Sequence, residues 1–208
     1  VLGIVVGVIA ASKRGKLLDA SSVLFSIITN SLPVFWVGML LVLIFSYQLH
    51  WFPSGMPYPA EWQQRWPTNF LMELTIRIQH LFLPVLALVI ITVGSYILLT
   101  RASMIEVLSE DYLVTARAKG LTERKVLFKH ALKNASLPVL TQAAIAFGFM
   151  LSGAIVTEQV FSYPGLGQWI WRSIEWSDFP ALQAIFFIIA LCVIIANFIA
   201  DISYGVID

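Results

Sequence analysis

Few side chains in this sequence combine reactivity with a grouping that chemistry could use. The three histidines, His50, His80 and His130, are far apart along the chain, whereas a metal centre needs several ligands converging on one point. Cys192 is the single cysteine and lies in an apolar run, so it reads as a small packing residue. Gly165-Leu166-Gly167 is glycine-rich but follows no strand, and no Walker A sequence appears, so the chain carries no phosphate cradle of its own. Asp178, before Phe179-Pro180, reads as a turn or cap. The pattern that stands out serves shape and movement instead, and it lies between residues 102 and 137.

That segment, about 35 residues, far exceeds an ordinary helix–helix connection. Ser109, Glu110 and Asp111 form a helix start, with acidic groups where the dipole favours them. Tyr112–Lys119 reads as a short helix. Gly120 ends it, because glycine enters the left-handed C-cap without penalty. Thr122 is an N-cap for a second helix over Glu123–Lys133. In it Val126, Leu127 and Ala131 share one side, and Lys125, Lys129 and Lys133 stack at i+4 spacing on another. Two short helices at a glycine elbow, closed by Pro138, suit docking to a cytoplasmic partner. The same periodicity serves an amphipathic pair lying on lipid headgroups.

The elements that hold this elbow are membrane helices. Of 208 residues, 59% are hydrophobic and 12% charged, against about 25% charged in a soluble domain. Mean hydropathy is +0.84. That balance excludes a soluble enzyme, a disordered chain and a fibrous repeat. The net charge of +1 gives no field for nucleic acid. Apolar stretches predict an all-α polytopic bundle with five crossings, near 1–12 (truncated), 25–49, 81–100, 138–157 and 181–200. The chain opens at Val1 inside an apolar stretch and is read as the C-terminal portion of a longer polypeptide. Lys13, Arg14, Lys16, Arg101, Arg117, Lys119, Arg124, Lys125, Lys129 and Lys133 fall on one side of these crossings. Only Arg65, Arg77 and Arg172 fall on the other. The positive-inside rule therefore puts 12–20, 101–133 and the tail after Asp201 in the cytoplasm, and 48–80 and 158–180 outside. Trp51, Trp62, Trp66, Trp169, Trp171 and Trp176 accompany the outer loops, as interface-seeking indoles do. Pro33 is expected to kink the second crossing. Pro84 and Pro138 are expected in the first turns of theirs. Pro53, Pro57, Pro59 and Pro67 keep the first outer loop irregular.

The run Asp111-Tyr112-Leu113-Val114-Thr115-Ala116-Arg117-Ala118-Lys119-Gly120-Leu121, followed by Lys129 to Val139 with Leu137-Pro138, closely resembles the cytoplasmic "EAA" loop of ABC importer permeases. The form is that of the dipeptide/oligopeptide/nickel branch. Val114-Thr115-Ala116 stands where the general loop has Glu-Ala-Ala, and fourteen residues separate Gly120 from Ala135. Both departures are typical of that branch. Ala10–Gly15 with Asp19, Ser31–Gly38, Glu158–Gly167, Asp178-Phe179-Pro180 and Tyr204–Asp208 resemble its other segments, in order.

The resemblance implies a type I importer transmembrane domain in the cytoplasmic membrane of a prokaryote. It implies a second, homologous permease, two cytoplasmic ATPase subunits that bind ATP and magnesium, and an extracytoplasmic substrate-binding protein. This chain would hold no cofactor and no metal. Its elbow, with Asp111, Tyr112, Thr115, Ala116, Arg117, Ala118, Lys119, Gly120, Leu121, Leu137 and Pro138, would ride in a groove of the ATPase. Di- and oligopeptides are the implied cargo, with nickel complexes or oligosaccharides as alternatives. Asn30, Ser31 and Pro33 are candidates for the translocation path, because polar groups in a span avoid lipid. Interhelical packing bonds explain them equally well. Glu158 reads first as a helix-end carboxylate in water, and second as part of an outer gate. Pro164 and Gly165, in a turn at the same mouth, are further candidates for the translocation path or outer gate. A secondary transporter or channel, the competing class, would want an ionisable residue deep in a span. The central span segments contain none.

Overall fold

The computed structural model describes residues 1–63, 67, 69–151 and 154–207, with side-chain surroundings at 63, 147–151, 200–201 and 203–207 outside the description. Among the described residues all regular structure is helical. The helices are α1 (Leu2–Ser12), α2 (Leu17–Ser31), α3 (Val34–Leu41), α4 (Phe70–Leu108), α5 (Asp111–Ala118), α6 (Glu123–Lys125), α7 (Leu132–Ala135), α8 (Leu137–Leu151), α9 (Ile155–Val160), α10 (Leu166–Glu175) and α11 (Phe179–Ile207). Wider π-turns continue α3 over Val42–Gln48 and link α6 to α7 over Val126–Ala131. A short 3₁₀ turn covers Ala60–Gln63.

The chain forms two compact units. The first comprises Val1–Ser31, Thr92–Gly148 and Val193–Asp208, the second Leu32–Ile91 and Phe149–Cys192. The first is built around Val8, Ala11, Met104, Leu113, Ala116, Val126, Leu127, Ala131 and Ala135. Here α1 lies directly on α4: a Cβ on Gly3 would fall 2.7 Å from Tyr96 Cβ, and one on Gly7 2.6 Å from Thr100 Cβ. Small residues four apart let membrane helices approach in this way. The second unit is built around Val37, Leu41, Leu83, Ala87 and Phe161.

Several expected boundaries shift. Two helices are long and apolar enough to cross a bilayer by themselves, Phe70–Leu108 and Phe179–Ile199. A third arises only if Leu17–Ser31 and Val34–Gln48 are halves of one broken span. Leu2–Ser12 and Leu137–Ala146 are shorter apolar helices. The two shorter helices lie where the first, truncated crossing and the fourth are expected. Pro33 is the reason for the break between Leu17–Ser31 and Val34–Gln48. It sits extended (φ −65, ψ 134) as N-cap of α3 and separates two helices rather than kinking one.

Helix α4 corrects the reading of Pro84. It begins eleven residues before the crossing expected at 81, so Pro84 lies in its interior, where it donates nothing to the His80 carbonyl one turn earlier. The early start has a local cause. Asn69 Oδ1 accepts the Leu71 N–H at 3.0 Å, an N-cap bond. Glu73 occupies the first turn and pairs with Arg77 at 2.8 Å. The helix also runs on to Leu108, so residues 102–108 belong to it and not to the loop expected at 102–137. Asp178 caps α11 as expected, accepting the Ala181 N–H at 3.1 Å.

Candidate functional site

The elbow is built by local rules. Helix α5 starts after Glu110, an extended N-cap, and has Asp111 in its first turn. Leu113 and Ala116, three apart, face inward; Asp111, Tyr112, Thr115, Arg117, Ala118 and Lys119 are exposed. Gly120 then turns left-handed at φ +77, and a Cβ added there would meet nothing within 4 Å. Backbone geometry, not crowding, requires the glycine. Thr122 takes the N-cap position of α6, though its side chain makes no capping bond. Beyond it Val126, Leu127, Ala131 and Ala135 are buried, while Lys125, Lys129 and Lys133 are exposed.

Two contacts close the elbow. Arg117 reaches across Gly120 to Glu123, Nε to Oε2 at 3.3 Å and Nη2 to Oε1 at 3.1 Å. Tyr112 Oη accepts from Asn134 Nδ2 at 3.0 Å and joins the two arms. Leu121 packs against the buried cluster beneath. Leu137 opens α8 and is half-buried, with Pro138 exposed in the first turn beside it. The cluster contains Val8 and Ala11 of α1 and Met104 of α4 as well as Leu113 and Ala116 of α5. The elbow and the ends of two longer helices therefore share one core. Leu113, the fully buried anchor of α5, was not singled out in the sequence; its i, i+3 pairing with Ala116 was the available signal.

Two of the polar residues considered for a translocation path have hydrogen-bond partners within the first unit. Asn30 Oδ1 accepts from Ser95 Oγ at 3.1 Å, and Ser31 Oγ donates to the Ile27 carbonyl at 2.8 Å. Beside them α2 and α4 come unusually close, because a Cβ on Gly94 would lie 2.4 Å from Thr29 Oγ1. Below, a contact the sequence reading missed joins the same helices. Arg101 grips Asp19 with both Nε and Nη2, the latter 2.9 Å from Oδ2. The two are 82 positions apart, and no local pattern pairs them.

The turn around Pro164 and Gly165 belongs to the second unit. Glu158 is not a carboxylate left in water. Its Oε2 accepts the Gln168 N–H at 2.8 Å, at the start of α10, where a negative group is favoured. Gly165 makes room for it, since a Cβ there would fall 2.4 Å from the carboxyl carbon. Pro164 is exposed next to it. Gly167 lets α10 meet α9, and Gly55 lies so close to the Phe161 carbonyl that a Cβ would sit 2.2 Å away. His80 fastens the same loop. Its Nδ1 is 3.0 Å from the Gly55 carbonyl and 2.9 Å from that of Met56. Both are acceptors, so Nδ1 carries the proton. Of the indoles expected outside, Trp51, Trp169, Trp171 and Trp176 are exposed, but Trp62 is buried and stacked on Tyr58. Arg65 and Trp66 lie outside the described residues.

The family described as "binding-protein-dependent transport system inner membrane component" matches residues 3–208. The chain is 39% identical over 213 residues to the di/tripeptide transport system permease protein DppB of Pseudomonas aeruginosa, covering 98% of this chain and 63% of that protein. It is 37% identical over 222 residues to the dipeptide transport system permease protein DppB of Escherichia coli K12, covering 100% and 65%. To the glutathione transport system permease protein GsiC of the same strain it is 38% identical over 208 residues, covering 100% and 62%. It thus spans somewhat less than two thirds of the length of these relatives. The chain belongs to the binding-protein-dependent transport system inner membrane component family.

Proposed function

We propose that this chain forms the membrane path of an ATP-driven importer of di- and oligopeptides in a bacterial cytoplasmic membrane, and that residues 111–138 are where a cytoplasmic ATPase drives it. The cargo class follows the names of the similar permeases, which specify di/tripeptides, dipeptides and glutathione. The ATPases bind ATP and magnesium; a second permease and an external binding protein complete the assembly.

One observation carries the coupling role. Leu113 and Ala116 of α5 sit in the same buried cluster as Val8, Ala11 and Met104. Close-packed interiors resist compression and transmit displacement. A partner that moves α5 therefore moves the ends of α1 and α4 as well. Exposed Tyr112, Val114 and Phe128, with cations Lys119, Arg124, Lys125 and Lys129 around them, suit a groove with an apolar floor and acidic walls.

Co-purification tests the assembly directly. Tagged chain solubilised from its native membrane should bring down an ATPase and a sister permease. Liposomes containing that complex, with its binding protein, should take up labelled dipeptide only with ATP. Recovery of the chain alone, or uptake that follows an ion gradient without ATP, would overturn the proposal.

A further inference from the structure

We propose that the Asp19–Arg101 ion pair is a positioning latch for transport, through which displacement of the elbow reaches α2; this rests on the ATP-driven reading above. Asp19 is only 4% exposed. Its Oδ1 accepts from Arg101 Nε, and its Oδ2 accepts from Arg101 Nη2 at 2.9 Å and from the Gly15 N–H at 2.9 Å. Gly15 is left-handed at φ +76, so the carboxylate also closes the α1–α2 turn.

The position of the pair is what gives it a role. Arg101 lies three residues before Met104, about 4.5 Å along α4, and Met104 belongs to the cluster that holds Leu113 and Ala116. In the other direction, about 9 Å along the helix, Ser95 meets Asn30 and Gly94 meets Thr29. Helix α2 is thus fastened to α4 at two separated points, one a bidentate charged fork and the other a backbone-close approach. Two such points remove the freedom of α2 to slide or pivot on its own. When the elbow shifts the end of α4, α2 and its polar residues Ser26, Thr29 and Asn30 must follow. The Arg101 side chain is 25% exposed and that of Asp19 6%, and a partly buried ion pair of this kind adds little net stability. A directional fastening gives the pair a reason to exist that stability alone does not.

The experiment uses the complete transporter in liposomes, with labelled dipeptide, and reads uptake per ATP hydrolysed. The double variant Asp19→Leu/Arg101→Met removes both charges and leaves none buried alone. It should assemble and hydrolyse ATP within about twofold of the parent while uptake per ATP falls about tenfold. The exchange Asp19→Arg/Arg101→Asp should recover part of that loss. Arg101→Lys keeps the charge but not the fork; it should show normal thermal stability with reduced uptake per ATP. Unchanged uptake per ATP in the double variant overturns the latch. If that variant fails to assemble, an Arg101→Lys protein with parental uptake per ATP overturns it equally. Failure of the parent itself to couple uptake to ATP would show in the control and would sink the wider reading.

Discussion

Gly120 offers the sharpest test of how the elbow is made. At φ +77, with open space around a built Cβ, any penalty for substitution is that of the left-handed backbone alone. For an ordinary L-residue this is about 1–2 kcal/mol. Alanine recovers about 0.5 kcal/mol by restricting the unfolded chain, so Gly120→Ala should cost about 0.5–1.5 kcal/mol. Valine, stiff at its branched Cβ, should cost about 2 kcal/mol. Asparagine tolerates the left-handed region and should be nearly neutral. Proline, fixed near φ −65°, cannot take up the turn. Thermal unfolding of the assembled transporter, followed by loss of monodispersity, should rank the variants glycine, asparagine, alanine, valine, proline. Uptake per ATP should fall in the same order. A valine variant as stable and as well coupled as the asparagine one would refute the reasoning, because no contact exists there to offset the strain.

Other positions give independent checks. Leu113→Ala leaves a cavity in the core shared by α1, α4 and α5 and should cost about 2–5 kcal/mol, seen as a large drop in melting temperature. The Arg117–Glu123 pair is 39% and 60% exposed; a double-mutant cycle should return about 0.5 kcal/mol or less, vanishing in high salt. Glu158→Ala removes the acceptor at the start of α10 and should cost about 1–2 kcal/mol, and Glu158→Gln about half of that. Proteolytic susceptibility of the 161–175 segment would report the change. Gly55→Ala places a Cβ 2.2 Å from the Phe161 carbonyl. It should disrupt the outer loop far more than Gly15→Ala, where nothing lies within 4 Å.

What was legible in the sequence was local. Gly120, Thr122 and the Val126, Leu127, Ala131 spacing lie within one or two turns of each other, so propensity and period specify them. The Asn69 cap and the Glu73–Arg77 pair were equally local but were passed over, since apolar runs mark where a chain meets lipid and not where a helix begins. That is why α4 begins at Phe70 and why Pro84 falls in its interior. The grip of Arg101 on Asp19, the Asn30–Ser95 bond and the hold of His80 on Gly55 and Met56 join residues 24 to 82 positions apart. Tertiary packing alone brings such partners together. Glu158 lay between the two cases. Its partner Gln168 is ten positions away, and nothing in the local pattern shows that Gly165 makes room for its carboxylate.

On the proposed function, a nucleotide-driven partner holds the elbow from the cytoplasm. Lys119, exposed beside Gly120, can be changed to cysteine in a Cys192→Ser background and cross-linked in intact membranes with a short bifunctional reagent. The account predicts a cross-link from position 119 to an ATPase subunit whose yield changes between nucleotide-free and ATP-bound states, and none from a cysteine at position 176 of the outer segment. A cross-link to the ATPase from position 176 and not from 119, or a yield at 119 indifferent to nucleotide, would contradict it.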